Sequence, residues 1–233
     1  MDQTLSHLIN ARWTNPALDL LLAAVSDVNI WRPLLIVVAL AAVVFGGFKM
    51  RACVFSLLLS LLIAQQVTNV LKSAINRARP SHIQSVRMVR LQKANPEFLA
   101  LFKKPIIYSE RIDRVRGGPS FPSGHMTNNT VIAMCLTIFY RRRGALYWIL
   151  TATVGYSRIY LGAHWPSDVI GTVFLAAGET LLIIAALELT WRWASQKWAP
   201  TIFARHSSLI GDVEQVPSLP SDNSHVENSR HKS

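Results

Sequence analysis

The stretch Ser157–Asp168, with the sequence SRIYLGAHWPSD, lies between two apolar runs that resemble membrane spans. It carries Arg158, His164 and Asp168, which are residue types that a hydrocarbon-embedded helix normally excludes. Because ionisable side chains at such a junction are costly to place, they usually mark a site of chemistry. The stretch predicts an active site at the membrane boundary, centred on His164. The simpler interpretation is that His164 and Asp168 only pair at the bilayer surface.

The composition of the chain is that of a membrane protein. Hydrophobic residues make up 51% and charged residues 16% of the 233 residues, whereas a typical soluble domain has about 25% charged residues. The net charge of +11 favours an anionic partner, and the apolar runs favour anionic lipid over nucleic acid. Cys53 and Cys135 lie inside apolar runs without a Cys or His at metal-ligand spacing, which predicts buried free thiols.

Five apolar segments predict an all-α fold, a polytopic bundle of five to six transmembrane helices. Residues 1–30 precede the first clear span, with an interfacial amphipathic helix expected over 1–12 and a helix start at Asn15–Pro16. The sequence leaves open whether residues 13–30 cross the membrane. The five predicted spans cover residues 31–48, 53–71, 126–140, 145–156 and 169–189.

The remaining segments are polar. Residues 73–123 form a long basic connection within a membrane domain that covers residues 31–195, with eight Lys and Arg residues between 81 and 121. Residues 206–233 have no periodicity, which predicts a disordered tail. Glu179 lies inside the last span, where a lipid-facing carboxylate is costly, so it is predicted to face the bundle.

The alternating direction of the spans decides which polar residues meet. One membrane face receives the end of the second span, the start of the third and the junction of the last two, that is Lys72, Gly124 and Arg158–Asp168. The other face receives the tail and the short basic loops at Lys49, Arg51 and Arg141–Arg143. These short loops favour a cytoplasmic location for the second face, whereas the charges of the long connection favour the opposite orientation.

Three polar clusters therefore converge on one face. The first contains Lys72 and Arg79, which are seven residues apart and so share one stripe of a helix. The second, Pro122–His125, opens a span with a Ser-Gly pair, where free backbone N–H groups and the helix dipole favour an anion. The third is Ser157–Asp168. Together they supply three cations, a helix N-terminus, two histidines and a carboxylate, which is the set that phosphoryl transfer needs.

These clusters resemble the three-part signature of the type 2 phosphatidic acid phosphatase (PAP2) superfamily, which shares its active-site core with the vanadium haloperoxidases. Every signature position matches, and Gly162 also agrees with the third motif. The span pattern extends the resemblance over residues 15–195. The matching segments are Lys72-x6-Arg79-Pro80, Pro122-Ser123-Gly124-His125 and Ser157-Arg158-x5-His164-x3-Asp168.

The resemblance implies a role for each matched residue. His164 is expected to be the nucleophile that forms a phosphohistidine, with Asp168 orienting it. His125 is expected to protonate the leaving group and then to activate water. The resemblance also implies hydrolysis without a metal or another cofactor, and the sequence contains no carboxylate cluster suited to Mg²⁺. The expected phosphate ligands are Lys72, Arg79, Ser123, Gly124 and Arg158.

The resulting hypothesis is an integral membrane phosphatase that acts on a lipid phosphate or pyrophosphate. The resemblance places its site on the extracytoplasmic face of a bacterial plasma membrane. The candidate substrates are a polyprenyl pyrophosphate such as the undecaprenyl carrier, slightly favoured by analogy, phosphatidic acid, phosphatidylglycerol phosphate and lipid A phosphate. No nucleic-acid partner is expected, and the oligomeric state stays open. The alternatives are a non-catalytic protein that binds lipid phosphates and a vanadate-dependent haloperoxidase.

Overall fold

The computed structural model describes residues 1–111 and 118–211 of a mostly helical chain. Helix α1 (Asp2–His7) continues as a π-helical turn (Leu8–Arg12) and is followed by α2 (Pro16–Ser26), α3 (Val28–Phe45) and α4 (Phe48–Ile75). The next segment contains α5 (Pro80–Ile83), strand β1 (Val86–Arg90), a 3₁₀ turn (Glu97–Phe102) and strand β2 (Ile106–Glu110). The last helices are α6 (Gly124–Ala145), α7 (Tyr147–Tyr160), α8 (Pro166–Trp198) and α9 (Pro200–Arg205).

Two side-chain caps define the N-terminal helices. The Asn15 side chain accepts a hydrogen bond from the Ala17 N–H at 2.8 Å, with Pro16 in the first turn, so the predicted start of α2 is confirmed. Asp27 ends α2 and caps α3, because its side chain accepts from the Asn29 N–H at 3.1 Å. Helix α2 is therefore a separate helix of 11 residues, shorter than the about 20 residues that a membrane span needs.

Helix α6 lies at the centre of the bundle and packs against α4, α7 and α8. Within the described residues, α3, α4 and α8 are long and apolar enough to cross a membrane. The total of five to six spans stays a prediction, because α7 has 14 residues and α6 is more polar. Cys53 and Cys135 are buried free thiols, as predicted. Both carboxylate oxygens of Glu179 are buried, which agrees with the prediction that it faces the bundle.

The connection between residues 73 and 123 departs from the all-α prediction. Strands β1 and β2 form an antiparallel two-stranded sheet, with Met88 opposite Tyr108. Val86 and Val89 are buried, so β1 packs against the helices. The all-α fold class is therefore wrong for this segment. Its valine and isoleucine residues favour paired strands, but the charged residues between them obscure the strand pattern in the sequence. Residues 112–117 of the connection lie outside the described residues.

Two polar side chains attach the sheet to the helices. The Asn10 amide donates to the carbonyls of Arg87 and Tyr160 at 2.8 and 2.7 Å, and its oxygen accepts from the Arg87 N–H at 3.0 Å. Asp19, which is buried in α2, accepts from the Arg87 guanidinium at 2.5 Å and from the Tyr160 hydroxyl at 2.6 Å. These contacts fix β1 against α2 and against the end of α7.

The end of the bundle at which α4 begins and α6 ends is basic. Lys49 and Arg141–Arg143 line one cavity of about 680 Å³, together with Ile210 and Gly211. The Lys49 ammonium also lies 5.8 Å from the centre of the Tyr140 ring. The two short basic loops and the beginning of the tail therefore meet at this end, as the alternation of the spans predicts.

The beginning of the tail is ordered against the bundle. The His206 carbonyl accepts from the Trp191 indole N–H at 2.9 Å, and the Leu209 N–H donates to the Glu188 carboxylate at 2.9 Å. Leu209 and Ile210 also pack against the core. Residues 206–211 therefore depart from the predicted disorder. Leu209 and Ile210 pack against core residues that are distant in the sequence, so the local pattern does not indicate this contact. Residues 212–233 lie outside the described residues.

Replacing Asn10 with Asp tests the attachment of β1. The substitution keeps the shape of the side chain but replaces the donor amide group with a carboxylate oxygen, which only accepts. The carbonyls of Arg87 and Tyr160 therefore lose their hydrogen-bond donor. We expect the free energy of unfolding to fall by about 2 kcal/mol. Thermal unfolding in detergent micelles should show a clear loss for Asn10→Asp and little change for Asn15→Asp, in which a carboxylate still caps α2. Equal midpoints for the two variants would contradict this role of Asn10.

Candidate active site

Lys72 of the first cluster and Gly124 of the second meet where α4 ends and α6 begins. The prediction that Lys72 and Arg79 share one stripe of a helix is wrong, because α4 ends at Ile75 and Arg79 is extended backbone before α5. The Lys72 ammonium lies 3.8 Å from the position that a Cβ atom of Gly124 would occupy. Gly124 is the first residue of α6, so its N–H has no acceptor within the helix. The cation and the helix N-terminus therefore face the same space, as predicted.

Ser123 precedes α6, and its backbone N–H and its side-chain hydroxyl differ in their hydrogen bonding. Its N–H donates to the Thr172 hydroxyl at 3.0 Å, which ties the start of α6 to α8. Its own hydroxyl is buried and has no hydrogen-bond partner among the described residues. An unpaired buried hydroxyl is costly unless a ligand or water completes it, so Ser123 is placed to donate to a bound anion.

The two arginines of the predicted site are held without a carboxylate. The Arg79 guanidinium donates through Nε to the carbonyls of Gly118 and Pro119 at 3.2 and 3.3 Å. The Nε atom of Arg158, in the last turn of α7, is buried and unpaired within residues 1–111 and 118–211. Backbone contacts therefore position Arg79, and neither guanidinium loses its charge to an ion pair in the described part of the chain.

His164 lies in the short loop between α7 and α8. The N–H groups of Ala163 and His164 donate to the Arg158 carbonyl at 3.0 and 3.2 Å, so the loop wraps around the end of α7. Gly162 has a φ of 67°, and a Cβ atom there would come within 3.0 Å of the Val86 side chain. A glycine is therefore required at this position, which brings the loop against β1.

The His164 ring is almost fully buried, with 2% of the residue exposed. Burial and the charges of Arg158 and Arg79 lower the pKa of His164 well below its usual value, and the Ser120 carbonyl opposes this only partly. Its Nδ1 atom lies 4.0 Å from Asp168 Oδ2, which is too long for a hydrogen bond, and it has no partner among the described residues. Burial and the neighbouring cations therefore favour the neutral form of the imidazole.

The Asp168 carboxylate has a different set of partners from the one that the sequence suggests. It is fully buried and accepts from the Arg77 guanidinium at 2.6 Å and from the Trp165 N–H at 3.0 Å. The Ser120 hydroxyl also donates to it. Asp168 thus joins α8 to the segment after α4, and it faces His164 without a direct hydrogen bond.

His125 lies in the first turn of α6, beside the break between α2 and α3. Its Nε2 atom is 3.1 Å from the Ser26 carbonyl, to which it donates. His125 and Arg158 together line a cavity of about 640 Å³. The second imidazole therefore faces an open space that can admit part of a ligand.

Sequence reasoning missed Arg77, Asp2 and Ser120. Arg77 lies inside the first cluster and bridges Asp168 to Asp2, which it contacts at 2.7 Å. Asp2 in turn accepts from the Ser167 N–H at 3.1 Å, so α1 is held at the start of α8. The only available signal was a third cation between Lys72 and Arg79, and charge alone does not identify its partner.

The arrangement as a whole can bind a phosphate ester and transfer its phosphoryl group to a nitrogen atom. Lys72, Arg79 and Arg158, which we call the cation cluster, form no ion pair with a carboxylate in the described part of the chain. Positive groups and backbone donors of this kind stabilise phosphoryl oxygens. The neutral His164 ring lies against this cluster as a potential nucleophile.

Replacing Arg77 with Met tests the importance of its bond to Asp168. The variant leaves a buried carboxylate without its counter-charge, and we expect the free energy of unfolding to fall by about 3 kcal/mol. Asp2→Asn breaks only the more exposed half of the same bridge and should cost less than about 1 kcal/mol. Thermal unfolding of both variants in the same detergent measures the difference. A loss for Arg77→Met no larger than that for Asp2→Asn would contradict the assignment.

Comparison with known proteins places these features in a family. A model of the PAP2 superfamily matches residues 53–197. The chain is 35% identical over 113 residues to the bacitracin transport permease protein BcrC of Bacillus licheniformis, across 47% of this chain and 50% of that protein. It is 28% identical over 191 residues to lipid A 4'-phosphatase of Bacteroides thetaiotaomicron, across 80% of this chain and 77% of that protein.

A solved structure shows the same fold. The crystal structure of Aquifex aeolicus LpxE superposes with a TM-score of 0.55 at 22% identity, covering 78% of this chain and 93% of that chain. The family match contains every residue of the three sequence motifs, from Lys72 to Asp168. The resemblance that the motifs indicate is therefore confirmed, and the chain belongs to the PAP2 superfamily.

Proposed function

We propose that this protein hydrolyses a phosphate or pyrophosphate monoester of a membrane lipid through a phosphohistidine on His164. The observation that carries the proposal is the burial of the His164 ring beside the arginines of the cation cluster. A protein that only binds phosphate needs the cations, whereas a neutral imidazole held next to them supplies a nucleophile. Arg79 and Arg158, together with Lys72 and the donors of Ser123 and Gly124, hold the phosphoryl oxygens.

The first chemical step forms a bond between His164 and phosphorus. Nδ1 faces Asp168 at 4.0 Å, so the attacking atom is Nε2. As the N–P bond forms, the bond from phosphorus to the leaving oxygen breaks, and its electron pair stays on that oxygen. Burial and the nearby cations lower the pKa of His125 to about 4, and the bound phosphate anion opposes this by offsetting the cations. His125 protonated in this complex gives a proton to the leaving oxygen. The Asp168 carboxylate, whose Oδ2 lies 4.0 Å from His164 Nδ1, stabilises the positive charge that develops on the ring.

The second step returns the enzyme to its starting state. A water molecule attacks phosphorus, and the now neutral His125 takes its proton. The N–P bond breaks, the electron pair returns to Nε2 of His164, and inorganic phosphate leaves. Throughout both steps the cation cluster neutralises the charge of the phosphoryl oxygens, which is the role that metal ions have in many other phosphoryl transfer enzymes. The proposed reaction therefore uses no metal ion.

The membrane setting supports a lipid substrate. Three helices of the described chain have the length and composition of membrane spans, and the site lies where such helices begin and end. The similar Bacteroides protein is named for a lipid A phosphatase activity. We place the site on the extracytoplasmic face, because the short basic loops at Lys49 and Arg141–Arg143 lie together at the other end and favour the cytoplasm.

Replacing His164 with Ala should abolish turnover. Without the nucleophile, we expect the release of phosphate from a panel of lipid phosphates to fall by about a thousandfold or more. The panel contains polyprenyl diphosphate, phosphatidic acid, phosphatidylglycerol phosphate and lipid A, each presented in the same detergent. His7→Ala is the matched control, because His7 is an exposed histidine in α1.

The same assay separates the competing functions. Vanadate should inhibit the wild-type protein and EDTA should not, because the cation cluster holds the phosphate. Full activity of His164→Ala or a strict requirement for Mg²⁺ would contradict the mechanism. Tight binding of lipid phosphates with no release by the wild-type protein would instead favour the non-catalytic alternative, and bromide or chloride oxidation with bound vanadate would favour the haloperoxidase.

The low pKa of His164 predicts activity in mild acid. The groups that face the ring are Arg158, Arg79, His125 and Asp168, and burial together with the cations keeps the pKa below the usual value of about 6.5. His164 therefore remains unprotonated as the pH falls through 6.5, and the acid limb of kcat/KM should lie below that pH. Arg77→Met exposes His164 to the unneutralised charge of Asp168, which raises the pKa and should move the acid limb to higher pH.

The measurement is the pH profile of kcat/KM, corrected for the ionisation of the substrate phosphate. Asp2→Asn is the control, because it leaves the bond between Arg77 and Asp168 in place. An acid limb that stays at the same pH in Arg77→Met would contradict the electrostatic link between Asp168 and His164.

A further inference from the structure

We propose that the cavity of about 680 Å³ at the end of the bundle where α4 begins and α6 ends binds the phosphodiester headgroup of an anionic phospholipid. We call it the basic cavity, and its cations are Lys49 and the arginine turn Arg141–Arg143. It lies at the opposite end of the bundle from His164, so its occupancy does not depend on the proposed phosphatase activity. The ligand is a lipid of the leaflet at that end and takes no part in the reaction.

The backbone gives the arginine turn a defined shape. Helix α6 is interrupted at Arg141, whose φ of 50° and ψ of −125° are not helical. The chain then folds back on itself, because a Cβ atom at Gly144 would collide with the Leu136 carbonyl. A positive φ is uncommon for a residue with a side chain and persists where the surrounding structure holds it. The three arginines therefore leave the end of α6 from a tight turn rather than from successive faces of a regular helix.

The charge of the arginine turn is not balanced within the described part of the chain. Arg141–Arg143 form no ion pair with any residue that the structure describes, and the described residues that line the basic cavity include no Asp or Glu. Glu188, at the same end, already accepts from the Arg192 guanidinium at 2.7 Å and from the Leu209 N–H at 2.9 Å. An arginine fork bonds two oxygens of a phosphate at once, so this turn favours a phosphate group as its partner.

The tail forms a second wall of the basic cavity and is fixed in place. Ile210 and Gly211 line the cavity, and their N–H groups donate to the Ser208 hydroxyl at 3.2 and 3.0 Å. The His206 ring stacks on Phe48 with the ring centres 4.0 Å apart. Two elements that are held by protein contacts therefore bound the space. Its volume of about 680 Å³ lies within the range of small-molecule sites, about 300–1,000 Å³.

The apolar surroundings favour a lipid over a soluble anion. Phe45, four residues before Lys49, is 87% exposed, and Leu146, which directly follows α6, is 66% exposed. Helix α4 begins beside the cavity and has the length and composition of a membrane span, so this end of the helix lies near a membrane surface. Ile138 and Phe139 add an apolar part to the lining. A lipid headgroup uses both parts, because its phosphate binds the cations and the carbon atoms next to it contact apolar side chains.

Thermal unfolding in lipid nanodiscs tests the site. The wild-type protein is compared in phosphatidylcholine nanodiscs with and without phosphatidylglycerol, which carries a phosphodiester and is therefore no substrate of the proposed reaction. We expect phosphatidylglycerol to raise the midpoint by about 4 °C and Arg142→Gln/Arg143→Gln to lose most of this gain. Arg51→Gln/Arg205→Gln is the matched control, because it removes two exposed cations at the same end that do not line the basic cavity.

Native mass spectrometry of the same proteins measures binding directly. In detergent with added phosphatidylglycerol, the ratio of lipid-bound to free protein should fall about tenfold in Arg142→Gln/Arg143→Gln and stay at the wild-type value in the control pair. Arg142→Gln alone should show a smaller fall, and it decides the question if the pair does not fold. An unchanged ratio in Arg142→Gln would then overturn the site.

Other results would also overturn the lipid site. The absence of a gain in the wild-type protein, or a full gain in Arg142→Gln/Arg143→Gln, would mean that the arginine turn holds no phospholipid. An equal loss in Arg51→Gln/Arg205→Gln would mean that phosphatidylglycerol responds only to the total charge of this end. An equal rise of the midpoint with inorganic phosphate in pure phosphatidylcholine would identify a site for a soluble anion instead. None of these results concerns the release of phosphate, which the His164→Ala assay decides separately.

Discussion

The buried carboxylate of Asp168 is the constraint on which the rest of the site depends. A charge that is removed from water must be paired and hydrogen-bonded, or it destabilises the fold. Asp168 meets this condition through Arg77, Ser120 and the Trp165 N–H, which come from three different parts of the chain. The Ser120 N–H also donates to the Arg77 carbonyl at 2.8 Å. The end of α4, the segment before α6 and the start of α8 are therefore joined around one charge.

This pairing also explains why the candidate site keeps its positive charge. Arg77 satisfies both Asp168 and Asp2, so in the described chain neither carboxylate forms an ion pair with the cation cluster. Arg79 is positioned by the carbonyls of Gly118 and Pro119 instead. A neutral dipole orients a guanidinium without cancelling its charge, and the charge remains for an anionic ligand. Burial and the same unbalanced charge together lower the pKa of the neighbouring His164 imidazole.

The sequence predicts much of the fold and of the site, and its failures have a common cause. Span periodicity and caps identify the helices, as Asn15 and Pro16 do for α2, although α8 continues to Trp198, well beyond the predicted end of the last span at residue 189. The sequence predicts that the phosphate ligands meet, because the spans alternate in direction and each of the three motifs lies at a span end on the same side of the bundle. Arg77 was missed because ion-pair partners depend on tertiary contacts, and three cations within eight residues are equivalent in sequence. The sheet was missed because its strands pair across an intervening segment and carry many charges.

The basic connection is where the structure changes the interpretation of the sequence most. As a loose surface segment it would only attract anionic lipid, but Asn10 and Asp19 attach it to α2 and α7. That attachment places residues 91–97 opposite the α2–α3 junction, where they line one cavity with His125 and Arg158. The bundle helices and the loop between α7 and α8 thus hold the candidate catalytic groups, and the anchored connection forms one wall of the space beside His125.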